Sequence, residues 1–236
     1  MELKVKVFSD GAVLNDMLKD LNSGRVSGFT TNPSLMKKAG IKSYIGFAND
    51  VLKVITDYPV SFEVFADDLS EMEKEANRIA QLGDNVYVKI PVTNSQGEST
   101  AKLINKLSHN GIKLNVTAIF TIKQVKEVVE ALSEDTPAIV SVFAGRIADT
   151  GIDPIPIMKE ALSICHAKKS IELLWASPRE TFNIYQANAL GVDIITCTPD
   201  LIKKLSLAGK DLETYSLETV NMFLNDSNSL GFKILE

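Results

Sequence analysis

The chain has 236 residues, 45% of them hydrophobic, which is enough to bury one large core and is a common size for a single α/β barrel. A net charge of −5 at pH 7, without a basic stripe, argues against a nucleic-acid-binding surface. No apolar run approaches the roughly 20 residues that cross a bilayer. Residues 1–8 are too short and too charged for a signal peptide, so we expect a cytoplasmic protein that binds neither nucleic acid nor membrane.

Short β-branched runs alternate with helical periodicity along the whole chain. They predict eight strands, at residues 4–8, 25–30, 60–65, 85–90, 113–118, 138–143, 172–176 and 193–197. The alternation indicates a parallel sheet, either closed into a barrel or open and doubly wound. The loop at residues 9–12 has one glycine and lacks the G-x-G-x-x-G pattern of nucleotide-binding sheets, which favours the barrel. We therefore predict one (β/α)8 TIM-barrel domain over residues 1–236, with a C-terminal helical extension from about residue 211.

Amphipathic stripes and cap signals predict helices between these strands. Apolar residues share a helical face at Leu69, Met72, Ala76, Ile79 and Ala80, and again at Ile122, Val125, Val128, Val129 and Leu132. Ser95 with Glu98, and Thr121 with Gln124, have the spacing of capping boxes, which predicts that helices begin at these residues.

Lys89 is the only charged residue in the run NVYVKIPV at residues 85–92, which is typical of a fully buried strand. Burial disfavours the hydrated ammonium form of a lysine, so the neutral amine becomes accessible. A neutral amine is the nucleophile that forms a Schiff base with a carbonyl substrate. The alternative is a lysine at a strand end that extends to solvent or pairs with a carboxylate.

The cysteines and histidines do not indicate a metal centre. Cys165 and Cys197 have neither metal-ligand spacing nor a disulfide framework, and the two histidines, His109 and His166, lie far apart. Each histidine is near the predicted end of a helix, where it complements the helix dipole. No metal and no organic cofactor is expected.

Polar residues cluster at the predicted carboxyl ends of the strands, where barrel enzymes carry their active sites. They are Asp10, Asn32, Glu63, Lys89, Asn115, Thr117, Ser141, Arg146, Ser177 and Arg179. Each has a structural alternative: Asp10, Asn32 and Ser177 could cap helices, and the two arginines could form surface ion pairs. Arg179 is expected in the first turn of a helix, where free N–H groups favour phosphate. An amine, carboxylates and an anion clamp together suggest covalent carbonyl chemistry on a sugar phosphate.

The chain resembles the transaldolases, in particular the short microbial branch that includes the fructose-6-phosphate aldolases. The resemblance extends over roughly residues 5–205 and rests on four motifs: GFTTNPSL at residues 28–35, VYVKIPVT at 86–93, NVT at 115–117 and FAGR at 143–146.

This resemblance implies a role for each matching residue. Lys89 matches the Schiff-base lysine, Asp10 the acid/base residue at the C4 hydroxyl, and Glu63 a carboxylate that works through a water held by Thr117. Asn32, Asn115 and Ser141 match residues that bind the hydroxyls of the dihydroxyacetone unit. Arg146, Ser177 and Arg179 match the phosphate-binding residues.

Two positions separate the activities of the family. Aldolase members are similar but carry a glutamine in place of Glu63 and a tyrosine in place of Phe143, so both positions favour a transaldolase. The alternatives are an aldolase that releases free dihydroxyacetone, and a sugar-phosphate-binding protein without catalysis. A pyridoxal-phosphate barrel also uses a lysine, but nothing in the sequence favours it.

The sequence departs from the family pattern at two places. Residues 9–12 read SDGA in place of the usual Leu-Asp-Thr followed by Ala or Ser, which alters the setting of Asp10. Pro178 stands where an aromatic residue is usual, between the two phosphate-site residues. A phosphate, a sulfonate or a ketose of different size is therefore compatible with the anion site.

The predicted C-terminal helix has a broad apolar surface, formed by Leu212, Tyr215, Leu217, Val220, Phe223 and Leu224. It can cover its own barrel or a neighbouring subunit. Resemblance to the short transaldolases, which form rings through a C-terminal helix, implies a homo-oligomer assembled through this segment.

Overall fold

The computed structural model describes residues 3–235. Eight parallel strands close into a barrel in sequence order, with the last strand paired to the first. The strands are β1 (Lys6–Asp10), β2 (Gly28–Thr30), β3 (Val60–Glu63), β4 (Val86–Pro91), β5 (Leu114–Ile119), β6 (Ala138–Val142), β7 (Ile171–Trp175) and β8 (Ile194–Cys197). The predicted (β/α)8 TIM barrel is confirmed, because each predicted strand overlaps one strand of the barrel.

Helices follow the strands and cover the outside of the barrel. They are α1 (Leu14–Asn22), α2 (Pro33–Lys38), α3 (Tyr44–Val54), α4 (Leu69–Ala80), α5 (Ala101–His109), α6 (Ile122–Ala131), α7 (Ala144–Asp149), α8 (Pro154–Cys165), α9 (Phe182–Leu190) and α10 (Pro199–Lys203). The two predicted stripes face the core, with Met72, Ala76 and Ile79 of α4 buried. Val125, Val128 and Val129 of α6 are buried in the same way.

The two cap signals have different outcomes. Thr121 and Gln124 form the predicted capping box at the start of α6. The prediction at Ser95 is wrong, because its hydroxyl donates to the Asp67 carboxylate and α5 begins only at Ala101. The Ser95 hydroxyl is therefore not free to cap a helix. The spacing of Ser95 and Glu98 along the sequence does not reveal its contact with Asp67.

The lower interior of the barrel is filled by apolar side chains that alternate along the strands. Phe8, Ile139, Leu174 and Ile194 form one buried cluster there. Gly28 makes this packing possible, since a Cβ on it would lie 2.6 Å from the Phe8 ring. A packed floor leaves the upper, carboxyl-terminal end of the strands for polar residues.

The chain divides into two compact units, of which the first ends at Ile202 and the second begins at Lys203. The second unit contains a 3-10 turn (Lys204–Leu207) and α11 (Leu212–Leu230). Asp211 accepts the Thr214 N–H at the start of α11, and Gly231 ends it in a left-handed conformation. The assignment of residues 1–236 to one domain stays a prediction.

No helix within residues 3–235 is long and apolar enough to span a membrane.

Candidate active site

A cavity opens at the carboxyl-terminal end of the barrel, where the predicted polar residues converge. Nine of the eleven predicted site residues line it: Asp10, Asn32, Lys89, Asn115, Thr117, Ser141, Phe143, Arg146 and Ser177. The remaining two are bonded to members of this set, since Glu63 pairs with Lys89 and Arg179 bonds to Ser177. Strands from the whole circumference of the barrel therefore contribute to one site.

Lys89 lies near the end of β4 with only 8% of its surface exposed. Its Nζ is 3.1 Å from Glu63 Oε2 and donates to the Thr31 carbonyl oxygen at 3.0 Å. The in-register pairing of Glu63 with Lys89 across β3 and β4 brings the two side chains together. The lysine is thus both at the cavity and paired with a carboxylate, so the two interpretations of the sequence coexist in one structure.

A buried polar network lies beside Lys89 and joins β3, β5 and β6. Ser141 Oγ donates to Asn115 Oδ1 at 2.6 Å, and Asn115 Nδ2 donates to Ser61 Oγ at 3.0 Å. These bonds fix the orientation of the Asn115 amide, because its oxygen and its nitrogen each have a defined partner. Hydroxyl-binding groups held in this way are preorganised for a polar substrate.

Thr117 lies two residues after Asn115 and points into the same cavity. Its Oγ1 is buried and has no hydrogen-bond partner within residues 3–235. A buried hydroxyl without a partner is costly, so such a group is suited to hold a water or a substrate atom. The next residue, Ala118, has a φ of 60° beside a register shift between β5 and β6, which marks local backbone strain at the rim.

Asp10 is the last residue of β1 and does not cap a helix, because α1 has Val13 at its N-cap and no side-chain cap bond. Burial raises the pKa of the Asp10 carboxyl above its ordinary value, against the opposing effects of the Lys89 charge and a hydrogen bond from Thr30. Thr30 Oγ1 donates to Asp10 Oδ1 at 2.7 Å. A carboxylate with a raised pKa is better matched to accepting a proton near neutral pH.

Asn32 combines the two functions considered for it. Its Oδ1 accepts the Leu35 N–H at 3.0 Å and caps α2, while the residue also lines the cavity. The cap occupies its carbonyl oxygen, so its amide N–H groups are the part of the side chain that remains for a ligand.

The candidate anion arm of the site is formed by α7 and the segment after β7. The Arg146 guanidinium lies over the Phe143 ring, with Cζ 5.3 Å from the ring centroid. Ser177 has a φ of 61°, in the left-handed region that non-glycine residues rarely adopt. Its carbonyl oxygen would lie 1.6 Å from a Cβ on Gly145, so only glycine permits this contact between the two segments. Strain and close packing fix Ser177 beside Arg146.

Arg179 departs from its predicted setting. It was expected in the first turn of a helix, but α9 begins only at Phe182, because the Asn183 side chain accepts the N–H groups of Arg179 and Glu180 ahead of the helix. The prediction of a helix-terminal position is therefore wrong.

The guanidinium of Arg179 is engaged by Asp149, the last residue of α7. Its Nε lies 2.8 Å from Asp149 Oδ1, and its Nη2 also bonds to this carboxylate. The hydrogen bonds from Arg179 hold the pKa of Asp149 below its usual value. Only Nη1 is directed to Ser177, whose Oγ it reaches at 3.0 Å.

Three residues at or beside the site were missed from the sequence: Thr30, Thr196 and Asp149. Thr30 and Thr196 line the cavity, although both resemble ordinary β-branched strand residues. Asp149 could have been suspected only from its position three residues after Arg146. Ser9, which departs from the family pattern, donates to Asp20 Oδ2 of α1 at 2.6 Å.

The arrangement supplies an amine, two carboxylates and two arginines in and beside a cavity of about 100 Å³. Within residues 3–235, no group of three or more His, Cys, Asp or Glu side chains is placed to hold a metal ion. The chemistry that these side chains can perform by themselves is nucleophilic attack on a carbonyl with acid/base assistance.

Comparison with known proteins agrees with the geometry. The model of the Transaldolase/Fructose-6-phosphate aldolase family matches residues 7–234. A protein named "Probable transaldolase" from Methanococcus maripaludis strain C7 is 37% identical over 206 residues, covering 85% of this chain and 89% of the relative. Proteins of the same name from Thermoplasma volcanium and Erythrobacter litoralis are 34% and 33% identical, covering 85% and 98% of this chain and 87% and 100% of the relatives. The chain belongs to the transaldolase/fructose-6-phosphate aldolase family.

Proposed function

We propose that this protein is a transaldolase that moves a dihydroxyacetone unit from a ketose phosphate to an aldose phosphate through a Schiff base on Lys89. The observation that carries the proposal is the buried Lys89 amine, 3.1 Å from the Glu63 carboxylate and facing a cavity that Asp10 also lines. A non-catalytic binding protein has no need for a buried amine paired in this way, because burying a charged pair is costly.

In the first step the neutral Lys89 amine attacks C2 of the ketose and forms a carbinolamine. Transfer of the Lys89 proton to Glu63 leaves the amine as the nucleophile, and Glu63 can return a proton to the departing hydroxyl. The unpartnered Thr117 hydroxyl supports a water that relays this proton. Loss of water then gives the protonated imine, which is the electron sink for the next step.

In the second step Asp10 removes the proton of the C4 hydroxyl. The C3–C4 bond breaks, its electron pair forms the enamine on the Lys89 adduct, and an aldose phosphate leaves. The raised pKa of Asp10 supports this role, because a stronger base takes the hydroxyl proton more readily. Addition of the enamine to a second aldose phosphate reverses these steps.

Transfer rather than release follows from the residues beside the enamine. A tyrosine hydroxyl at position 143 could hold a water that protonates the enamine, whereas the Phe143 ring has no such donor. The ring packs against Phe120 at 5.7 Å and beneath Arg146, which keeps the wall of the cavity apolar at this point. An enamine that is not protonated persists until the acceptor arrives.

Arg146, Ser177 and Arg179 would bind the distal phosphate of both sugars. Arg146 and Ser177 line the cavity directly, and Arg179 acts beside them through Nη1. Asn32, Asn115 and Ser141 would hold the hydroxyls of the dihydroxyacetone unit. Their hydrogen-bonded orientation supports this assignment.

The proposal is tested by trapping the imine. Borohydride reduction with a panel of ketose phosphates should add the mass of a reduced dihydroxyacetone or ketose adduct to the peptide that contains Lys89. Lys89→Arg should give no adduct and lose several orders of magnitude in turnover, because a guanidinium stays charged and forms no imine. Lys113→Arg, at the opposite end of the barrel, is the control and should behave like the wild type. Near-normal turnover in Lys89→Arg would overturn the mechanism.

We also propose that the protein is a homo-oligomer in which α11 packs against a neighbouring subunit. The apolar residues of α11 are exposed in the single chain, among them Leu212, Leu217 and Phe223. Burial of these side chains between subunits would make stability depend on assembly.

A further inference from the structure

Three side chains from neighbouring strands form a short hydrogen-bonded chain that ends at the Asp10 carboxylate. Thr30 of β2 lies 2.7 Å from Asp10 Oδ1 and 2.6 Å from Thr196 Oγ1 of β8, measured from its Oγ1. Thr30 is 1% exposed and Thr196 is 7% exposed, so water competes little for these bonds. These hydrogen bonds cross the point where the barrel closes, because β8 pairs with β1 and β1 pairs with β2 there.

Counting protons fixes the direction of this chain. An ionised carboxylate only accepts, so the single hydroxyl proton of Thr30 must be donated to Asp10. The Thr30 oxygen then has only lone pairs to offer to Thr196, and Thr196 must be the donor in the second bond. The order of donation is Thr196 to Thr30 to Asp10.

We propose that Thr196 is a positioning residue that acts through Thr30 to hold Asp10 in its ionised, basic form. This inference rests on the proposed function, in which Asp10 removes the C4 hydroxyl proton. By donating to Thr30, Thr196 keeps the Thr30 O–H directed at the Asp10 carboxylate. It also polarises the Thr30 hydroxyl, so the hydrogen bond from Thr30 to Asp10 is strengthened. The bond also fixes the rotamer of Thr30.

The hydrogen bonds from Thr196 to Thr30 and from Thr30 to Asp10 oppose the effect of burial on the ionisation of Asp10. Burial alone favours the neutral acid, which cannot accept the substrate proton, while the Lys89 charge and, after it, the hydrogen bond from Thr30 favour the charged form. Removing the Thr196 hydroxyl should therefore raise the pKa of Asp10 further. It should leave imine formation intact, because Thr196 has no bond to Lys89 or Glu63.

Thr196→Val removes the hydroxyl and keeps the shape of the side chain, and Thr196→Ser restores the hydroxyl. Two steps are measured in each variant with excess enzyme: formation of the borohydride-trapped adduct on Lys89, and release of the aldose phosphate. We expect Thr196→Val to leave adduct formation unchanged and to slow release several-fold at neutral pH. The pH below which release slows should rise by roughly half a unit to one unit in Thr196→Val, and Thr196→Ser should return it to the wild-type position.

Thr136→Val is the matched control, since Thr136 Oγ1 also makes a buried hydrogen bond, to the Ser108 carbonyl oxygen away from the cavity. It should lower thermal stability and leave the acid limb in place. ¹³C NMR titration of the Asp10 carboxyl in the ligand-free protein measures the same pKa without turnover. An Asp10 pKa that is equal in the wild type and Thr196→Val overturns the inference, whereas absence of any Lys89 adduct in the wild type overturns the proposed function itself.

Discussion

At the scale of single residues, Asp10 shows how the burial proposed to favour a catalytic base opposes stability. Burial raises its pKa above the ordinary value of 3.8, so the folded chain binds this proton more tightly than the unfolded chain. Ionisation therefore destabilises the fold. This destabilisation is absent below the pKa that Asp10 has in the unfolded chain. It is complete once the pH has risen through the pKa that Asp10 has in the folded chain.

Asp10→Asn removes this ionisation and keeps an oxygen that can accept from Thr30. We expect the variant to melt at a higher temperature than the wild type at pH 7, with the difference shrinking as the pH falls toward the ordinary carboxyl pKa. Turnover should fall by roughly 10²- to 10⁴-fold, the usual contribution of general acid/base catalysis. Thermal denaturation at several pH values measures the first effect, with the exposed Asp50→Asn as the control. A variant that is less stable at every pH would show that the interactions of the Asp10 charge outweigh its burial.

Phe143 is the residue that we expect to direct the reaction toward transfer. Phe143→Tyr introduces a hydroxyl at the cavity wall, which can hold a water that protonates the enamine. Release of free dihydroxyacetone without acceptor should rise relative to transfer, as measured by a coupled assay with and without an aldose phosphate. Phe120→Tyr, on the ring that packs against Phe143, should leave the ratio unchanged. An equal ratio in Phe143→Tyr and the wild type would remove this position from the control of specificity.

At the scale of elements, α7 and the segment after β7 form one unit, the candidate anion arm. They are joined by the contact of Gly145 with Ser177 and by the ion pair of Asp149 with Arg179. The pair is exposed on both sides, so it is weak by itself. The ion pair matters for geometry. The Asp149 carboxylate occupies the Nε and Nη2 edge of Arg179, which would otherwise bind an anion with two hydrogen bonds.

Asp149→Asn should release this edge of Arg179 and remove a negative charge close to Arg146. We expect KM for a phosphorylated ketose to fall by a factor of roughly two to five, in keeping with an exposed ion pair. KM for the unphosphorylated ketose should not change. Steady-state kinetics on both substrates measure this, and Arg179→Met is the control that should raise KM for the phosphorylated ketose alone. A higher KM in Asp149→Asn would mean that Asp149 holds Arg179 in its binding position.

The sequence predicts the elements of this fold well because each strand has a local signal. β-branched runs and turn residues are properties of a few consecutive positions, and so is the capping box at Thr121. Ser95 and Arg179 were placed wrongly because other side chains take the groups that a helix start would use, Asp67 for the first and Asn183 for the second. Asp67 is far from Ser95 in sequence, so no local pattern contains that contact, whereas Asn183 is close to Arg179 in sequence but acts ahead of the helix and not within it.

The candidate site was predictable to the extent that its residues stand at strand ends. Lys89 is recognisable as a charge in an apolar strand, and alternation brings Asn115 and Thr117 to the same face. Thr30 and Thr196 were not recognisable, because their contact depends on the register of three strands and on closure of the barrel. The same limit applies to Gly145, whose need for a hydrogen side chain arises from the left-handed Ser177 opposite it.

At the scale of the whole molecule, the remaining question is what covers α11. This helix has 19 residues, and its apolar side chains include Leu217 at 62% exposed and Phe223 at 59% exposed in the single chain. Exposed apolar surface that is contiguous along a helix is typical of an interface. Its opposite face is polar and includes Glu218 and Asn225.

We expect the full-length protein to be an oligomer at micromolar concentration by light scattering, and to dissociate when the chain is cut before Leu212. Leu217→Glu and Phe223→Glu should dissociate it as well, because a charge placed in an apolar interface loses its hydration without gaining a partner. Asn225→Glu adds the same charge to the polar face and should leave the assembly intact. The melting temperature of the wild type should rise with protein concentration, and that of Leu217→Glu should not. A monomeric wild type would refute the assembly proposal while leaving the chemistry at Lys89 unaffected, since every residue assigned to the reaction lies within β1–β8 and the segments that directly follow these strands.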